Sequence, residues 1–191
     1  MEETVIHKNK QFSGINYAGK ILYNREFIDC DFTNCDFSKS DLRGNSFENC
    51  HFKDCDFLMA NIEGAGFRNA IFTGCKMMGV DFTRCNKLAF SFSFIDSYLD
   101  YCTFYGVKLR KTNFINCSLK EVDFSEADLT ASVFAVCELT GAHFSNSNLE
   151  KTDFQSAINF SIDPEQNKMK KTKFSAMNLT GLLFKHDIQI I

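Results

Sequence analysis

The chain has 191 residues, 45% of them hydrophobic and 24% charged, with a formal net charge of −3, a balance that fits one domain with a substantial core. No apolar run approaches the ~20 residues that cross a bilayer, and the opening Met1-Glu2-Glu3-Thr4-Val5 is acidic, without the apolar stretch of a secretory signal. A cytoplasmic, reduced protein without membrane contact is expected, and its nine cysteines are not read as a secreted disulfide framework.

Residues 1–11 precede any repeat and are expected to cap the first coil. From Phe12 the chain acquires a period of five. Tyr17, Leu22, Phe27, Phe32, Phe37, Leu42, Phe47, Phe52, Phe57, Ile62, Phe67, Phe72, Met77 and Phe82 follow at that spacing, all large and apolar. This first run of coils is assigned to residues 12–85. Over 86–93 the count breaks, and it restarts two residues out of phase at Phe94. It continues through Leu99, Phe104, Leu109, Phe114, Leu119, Phe124, Leu129, Phe134, Leu139, Phe144, Leu149 and Phe154. After an interruption over 158–168 the second phase returns as Met169, Phe174, Leu179 and Phe184. The second run therefore spans 94–184, with 185–191 left as a C-terminal tail.

A period of five matches neither the helix's 3.6 residues nor the strand's two. It fits a coil that turns a corner every five residues and buries the middle residue of each side. The residue two before the middle also points inward, nearer the corner, where space is small. Cys30, Cys35, Ser40, Asn45, Cys50, Cys55, Ala60 and Ala65 occupy that position, and so do all nine cysteines when Cys85 is counted as the last beat of the first phase. Their spacing is unlike the short pairs of zinc sites, and the expectation is small buried hydrophobes rather than metal ligands. The three remaining positions hold mostly turn-forming and charged residues.

Segments such as Cys30-Asp31-Phe32-Thr33-Asn34, Cys35-Asp36-Phe37-Ser38-Lys39 and Ala127-Asp128-Leu129-Thr130-Ala131 resemble the A-(D/N)-L-x-x consensus of pentapeptide-repeat proteins. The resemblance covers about residues 12–184 and implies that family's fold, an all-β, right-handed, quadrilateral parallel β-helix with about four pentads per coil. Stacked residues are then twenty apart, as in Phe27-Phe47-Phe67, and seven to eight coils at about 4.8 Å make a rod of about 35–40 Å. Within the family the central break, the alternating Phe and Leu centres after it, and the final Phe160-Ser161-Ile162-Asp163-Pro164 and Phe174-to-Gly181 segments look most like the Qnr and mycobacterial fluoroquinolone-resistance branch. Two features depart from that branch. Its long projecting loops are missing, and its C-terminal dimer helix is missing or reduced to Lys185–Ile191.

That branch acts by mimicking duplex DNA on DNA gyrase or topoisomerase IV, which makes the charge layout the informative quantity. Residues 26–163 hold 20 acidic and 12 basic side chains, net −8, between ends that are positive. Glu121, Asp123, Glu126, Asp128, Glu138, Glu150 and Asp153 all fall on outward positions, and a negative field there attracts a basic surface. The plainer reading is that these acids solvate a rod. Outward apolar residues form a second feature: Leu58, Met59, Met78, Tyr98 and Tyr101 on one side, with Ile95, Ile115, Val133, Ala135 and Val136 along a neighbouring column. They mark a contact surface or reflect β propensity alone. Leu182, Leu183, Phe184, Ile188, Ile190 and Ile191 are too apolar for a free tail, and a homodimer through this end is expected.

No catalytic constellation is visible. His7, His51, His143 and His186 are far apart in the repeat, and neither a phosphate-binding glycine pattern nor a nucleophile elbow is present. The period excludes the six-residue repeat of the left-handed acyltransferases. The basic run Lys168–Lys173 is short, lacks interleaved aromatics and reads as a solvated face, so direct nucleic-acid binding is not expected. The sequence points to a non-catalytic binding protein without cofactor or metal. It is either a DNA-mimicking inhibitor or protector of a type II topoisomerase or a protein-interaction scaffold with an unrelated partner.

Overall fold

The computed structural model describes residues 4–86, 90–186 and 188–189. Ten strands wind into one tube: β1 (Val5–Lys8), β2 (Gln11–Ser13), β3 (Arg25–Ile28), β4 (Asp31–Thr33), β5 (Ser46–Glu48), β6 (His51–Lys53), β7 (Gly66–Thr73), β8 (Phe90–Ile95), β9 (Asn113–Ile115) and β10 (Val133–Ala135). Every pairing is parallel, and each coil lies in register on the next. Phe12 faces Phe32, Phe32 faces Phe52, and Phe52 faces Phe72, twenty residues at each step. The result is a right-handed, four-sided parallel β-helix.

The four faces are named by their central residues in chain order. The first face carries His7, Phe27, Phe47, Phe67, Leu109, Leu129 and Leu149. The second carries the phenylalanine column from Phe12 to Phe174, the third Tyr17 to Leu139, and the fourth Leu22 to Phe144. From Phe27 to Phe82 and from Phe94 to Phe154 the central side chains are buried, and so are all nine cysteines. On the second face the rings of Phe94, Phe114, Phe134 and Phe154 stack with centroids 4.7–5.4 Å apart and planes 9–14° from parallel. Each buried Phe contributes about 1.5–3 kcal/mol by leaving water, and each ring pair about 0.5–1.5 kcal/mol more.

Corners need a left-handed backbone. Gly14, Asn34, Asn49, Gly64 and Asn116 supply it with φ between 52° and 67°, a region in which most side chains clash and Gly and Asn do not. Polar side chains then fix the turns. At several sides where the residue before the centre is Asp, its carboxylate accepts from the N–H of the residue after the centre, as in Asp36 to Ser38 at 2.9 Å, Asp56 to Leu58 at 2.8 Å and Asp81 to Thr83 at 2.8 Å.

The central break is absorbed on the first face. Phe67 pairs with Phe90, but Ala70 pairs with Phe92 and Phe72 with Phe94, so a bulge in β7 sets the later offset at 22 residues. The buried ring of Phe92 then lies against Phe94, Phe82 and Phe67 at centroid distances of 5.0, 5.5 and 6.4 Å. The rod axis continues across the break, because Lys76 bridges Tyr98 and Asp81 bridges Thr103. Residues 87–89 lie outside the described part.

Two boundaries differ from the repeat count. Residues 4–11 are not a cap: Val5–Lys8 pair in register with Arg25–Ile28 and begin the first coil, with His7 in the place of a central Phe. His7 stacks on Phe27 at 4.9 Å, which its position in the pentad frame, five before Phe12, already allows. At the other end the coil stops at Phe174. Leu179 and Phe184 keep the sequence phase, but Ala176–Leu182 and Phe184–His186 are short 3-10 helices and both side chains are exposed. Corner N–H groups donate to carbonyls of the following coil, as Glu121 does to Thr140 and Lys151 to Lys170. A terminal coil has no such acceptors, so the chain folds over the open end instead. Asn178 Nδ2 donates to the Ala157 carbonyl, Ile162 N–H to the Gly181 carbonyl, and Leu182 packs on the core. The 158–168 segment keeps the coil spacing, since Asn148 bridges Lys168, and fills its interior with Phe160 and Ile162.

Candidate functional site

The exterior is sorted by face, because residues twenty apart share a face and residues five apart do not. On the fourth face, Asp81, Thr103, Asp123 and His143 succeed one another in register, with Asp41 and Asn61 in the coils before. Glu63 lies beside this column and Glu126 at its next corner, where the Gly106 N–H meets Ser125 and the Glu126 N–H meets Ser145. Arg43 pairs with Asp41 at 2.7 Å and Arg84 with Glu63 at 2.6 Å, while Lys185 reaches back from the C-terminal cap to Asp163 and Glu165 at 2.8 and 2.6 Å. Asp81, Asp123 and Glu126, in the middle of the rod, have no cation within ion-pair distance among the described residues. The Tyr105 hydroxyl, on the same face, has its pKa raised mainly by its hydrogen bond to Glu126.

Of the seven acids singled out by sequence, the structure groups three. Asp123 and Glu126 are on the fourth face, and Glu121 is at the corner between the third and fourth. Glu138 is on the third face, held by Thr140 Oγ1 and Asn159 Nδ2 at 2.5 and 2.8 Å. Asp153 is on the second face, paired with Lys173 at 3.2 Å. Asp128 and Glu150 are on the first face. Asp128 is neutralised there by Arg110 at 2.5 Å, and Lys108, Lys111, Lys168 and Lys170 surround the pair along the same columns. Sequence reading missed Asp81 and the Asp41–Glu63 end of the same face. The signal that finds them is the stacking step, twenty residues within a run and 22 across the break.

Apolar groups occupy other parts of the surface. On the second face Ile71 and Ile115 are exposed on β7 and β9, and Val136 is exposed at the corner that follows β10. At the corner between the third and fourth faces Met59, Gly79, Tyr101 and Glu121 stack, as the corner N–H series to Met78, Asp100, Lys120 and Thr140 shows. Tyr98 lies on the third face and Tyr105 on the fourth, on either side of Tyr101, and all three are about half exposed or more. At the C-terminal end Leu182 is turned inward, whereas Leu183, Phe184 and Ile188 are exposed. Ile190 and Ile191 lie outside the described residues.

The histidines do not converge. His7 is in the first coil, His51 reaches Thr73 Oγ1 at 3.2 Å on the second face, His143 is on the fourth, and His186 ends the cap. Among the described residues no group of three His, Cys, Asp or Glu side chains is placed to hold a metal ion, and no helix is long and apolar enough to cross a membrane.

Comparison with known proteins agrees with this geometry. Family models described as pentapeptide repeats (9 copies) match residues 9–71 and 42–86, and one described as a pentapeptide repeat region matches 87–154. Among solved structures, HetL, a pentapeptide repeat protein involved in heterocyst differentiation regulation from the cyanobacterium Nostoc sp. strain PCC 7120, superposes with a TM-score of 0.74 at 15% identity, over 92% of this chain and 88% of HetL. QnrB1, a plasmid-mediated fluoroquinolone resistance protein, superposes in a trypsin-treated form with a TM-score of 0.65 at 16% identity, over 98% of this chain and 99% of that one. No curated protein matches the chain in sequence.

Proposed function

This chain belongs to the pentapeptide-repeat family, and we propose that it is a non-catalytic binding protein whose fourth face occupies the DNA-binding surface of a type II topoisomerase, DNA gyrase or topoisomerase IV, in place of duplex DNA. One observation carries this reading: Asp81 and Asp123 share an outward column of the fourth face with Glu126 at its next corner, and among the described residues no cation pairs with them, the arginines of that face, Arg43 and Arg84, being engaged by Asp41 and Glu63. A rigid row of carboxylates offers a basic groove fixed charges with little ordering cost. The rod shape shared with QnrB1 makes the fold suitable for such a contact.

Titration of the protein into a gyrase supercoiling reaction, with and without a fluoroquinolone, tests the proposal. Inhibition or protection that weakens steeply with salt is expected. Absence of either effect up to a large molar excess removes the topoisomerase and leaves the general interaction scaffold, which the apolar second face favours. The exposed Leu183, Phe184 and Ile188 suit a second copy docking end to end, and a monomeric mass by light scattering at micromolar concentration excludes that dimer.

A further inference from the structure

Tyr101 stands at a corner with φ 62°, a left-handed position that Met59, Glu121 and Val136 also occupy in this rod and that points its side chain outward. The corner one coil earlier is Gly79, against which the Met59 side chain lies, with its Cγ 3.7 Å from where a Cβ would be. Tyr98 and Tyr105 flank Tyr101 within the same coil, and the three are 53%, 65% and 48% exposed. Their rings stack on no other ring among the described pairs, and the cation–π contact that the rod does contain, Lys20 over Tyr17, is at the far N-terminal end. Three of the five tyrosines thus share one solvent-facing ridge.

The setting of that ridge defines its occupant. Tyr105 and Glu126 lie on neighbouring coils, joined by the Gly106 N–H to the Ser125 carbonyl, and Asp81 and Asp123 sit one coil before and one coil after Thr103, the outward residue between Tyr101 and Tyr105. On the opposite side the third face carries Lys76 and Lys120 but also Asp100, between Tyr98 and Tyr101, whose carboxylate accepts from the Lys120 N–H at 3.0 Å, so carboxylates flank the ridge on both sides. Aromatic faces beside unpaired carboxylates suit a planar, weakly hydrated cation, which stacks on the ring and forks onto the carboxylate. We propose that the ridge of Tyr98, Tyr101 and Tyr105 receives arginine side chains from a basic protein surface laid along the fourth face. The proposal rests on the reading of the fourth face as the contact surface, and it does not depend on that surface being a topoisomerase.

Binding of an arginine nonapeptide and a lysine nonapeptide, each followed by calorimetry at two salt concentrations, tests it. The expected result is arginine peptide binding about five-fold tighter than lysine peptide. The triple variant Tyr98→Leu, Tyr101→Asn, Tyr105→Leu removes that preference and leaves lysine-peptide affinity within about two-fold. Equal binding of the two peptides by the native protein, or a preference that survives the triple variant, overturns the proposal. Tyr101→Asn alone guards against misfolding as the cause: Asn suits the left-handed corner, so the Tm is not lowered, yet the substitution reduces the arginine preference. Failure in the supercoiling reaction with the arginine preference intact sinks the topoisomerase reading and leaves the ridge standing. Loss of the preference with inhibition intact does the reverse.

Discussion

Phe134 stacks on Phe154 with ring centroids 4.7 Å apart and planes 11° from parallel, and it meets Phe114 on its other side at 4.8 Å. Phe124 and Phe144 close the ring of neighbours edge-on at 5.6 and 6.2 Å. Phe134→Ala therefore opens a cavity in the middle of a column that has no room to collapse, at a cost of about 3–5 kcal/mol. Phe134→Leu, a smaller volume loss that the alternate faces already accommodate as Leu129 and Leu139, costs about 1–1.5 kcal/mol. Phe174→Ala, at the half-buried end of the same column, costs less than Phe134→Ala. Urea midpoints rank the three, and a Phe174 cost equal to that of Phe134 contradicts a core that weakens toward its ends.

The column itself was legible in the sequence, because one side chain in five has to be large wherever a side of the tube needs filling. The cysteines were legible for the same reason, since only small groups fit beside the corner. What the period does not display is the face on which a residue lies. Glu121, Asp123, Glu126 and Asp128 are close in sequence, yet each pentad turns a corner, and Asp128 ends up beside Arg110 rather than beside Asp123. Asp81 and Asp123 are 42 residues apart and share a face, an offset that requires knowing how the break is absorbed. Leu179 and Phe184 misled for a different reason. Apolar spacing persists there, but a last coil has no successor to accept its hydrogen bonds.

Asp123 performs two roles that substitution separates. Its Oδ1 accepts from the Ser125 N–H at 2.8 Å, which fixes the turn, and its charge contributes to the fourth face. Asp123→Asn keeps the acceptor and removes the charge, so stability changes by less than about 0.5 kcal/mol. Asp123→Ala loses both and costs about 1 kcal/mol. Binding to a basic partner weakens equally in the two variants. Thermal melts beside binding isotherms separate the roles, and a destabilised Asn variant shows that the charge, not the acceptor, supports the turn.

The C-terminal cap is held by contacts that acid and a single methyl group both attack. Lys185 hydrogen-bonds Asp163 and so holds its carboxyl below the usual carboxylate range. A depressed carboxyl stabilises the folded form above its unfolded pKa, near 3.8, and that stabilisation is lost as pH falls through the lower folded value. Amide exchange at Ile162, which donates to the Gly181 carbonyl, is expected to speed up below about pH 4 relative to amides of the central coils. Gly181→Ala acts at any pH, since its Cβ would lie 2.2 Å from the Phe160 carbonyl oxygen. Rapid exchange at Ile162 in this variant, with Phe134-level protection unchanged, shows local release of the cap. Unaltered exchange contradicts the close approach.

Burial gives Cys50 and Cys102 the opposite pH dependence. Cys50 donates to the Phe27 and Glu48 carbonyls at 3.4 and 3.5 Å, and desolvation pushes its pKa from 9.0 up to about 12; Cys102 is likewise pushed up to about 12. In the unfolded chain both ionise near 9, whereas in the folded chain they stay neutral. A raised pKa of this kind contributes stability that is complete below pH 9 and declines as pH rises toward 12, by up to about 1.4 kcal/mol per pH unit for each thiol. The double variant Cys50→Ser, Cys102→Ser keeps a donor at each carbonyl and loses that ionisation, so its stability falls less steeply than that of the native protein between pH 9 and 11. All nine cysteines are buried, so a disulfide reagent at pH 8 labels none of them faster than the rod unfolds. Rapid labelling of even one in the native protein shows that the tube opens locally, because no face of the closed coil gives the reagent a path to the sulfur.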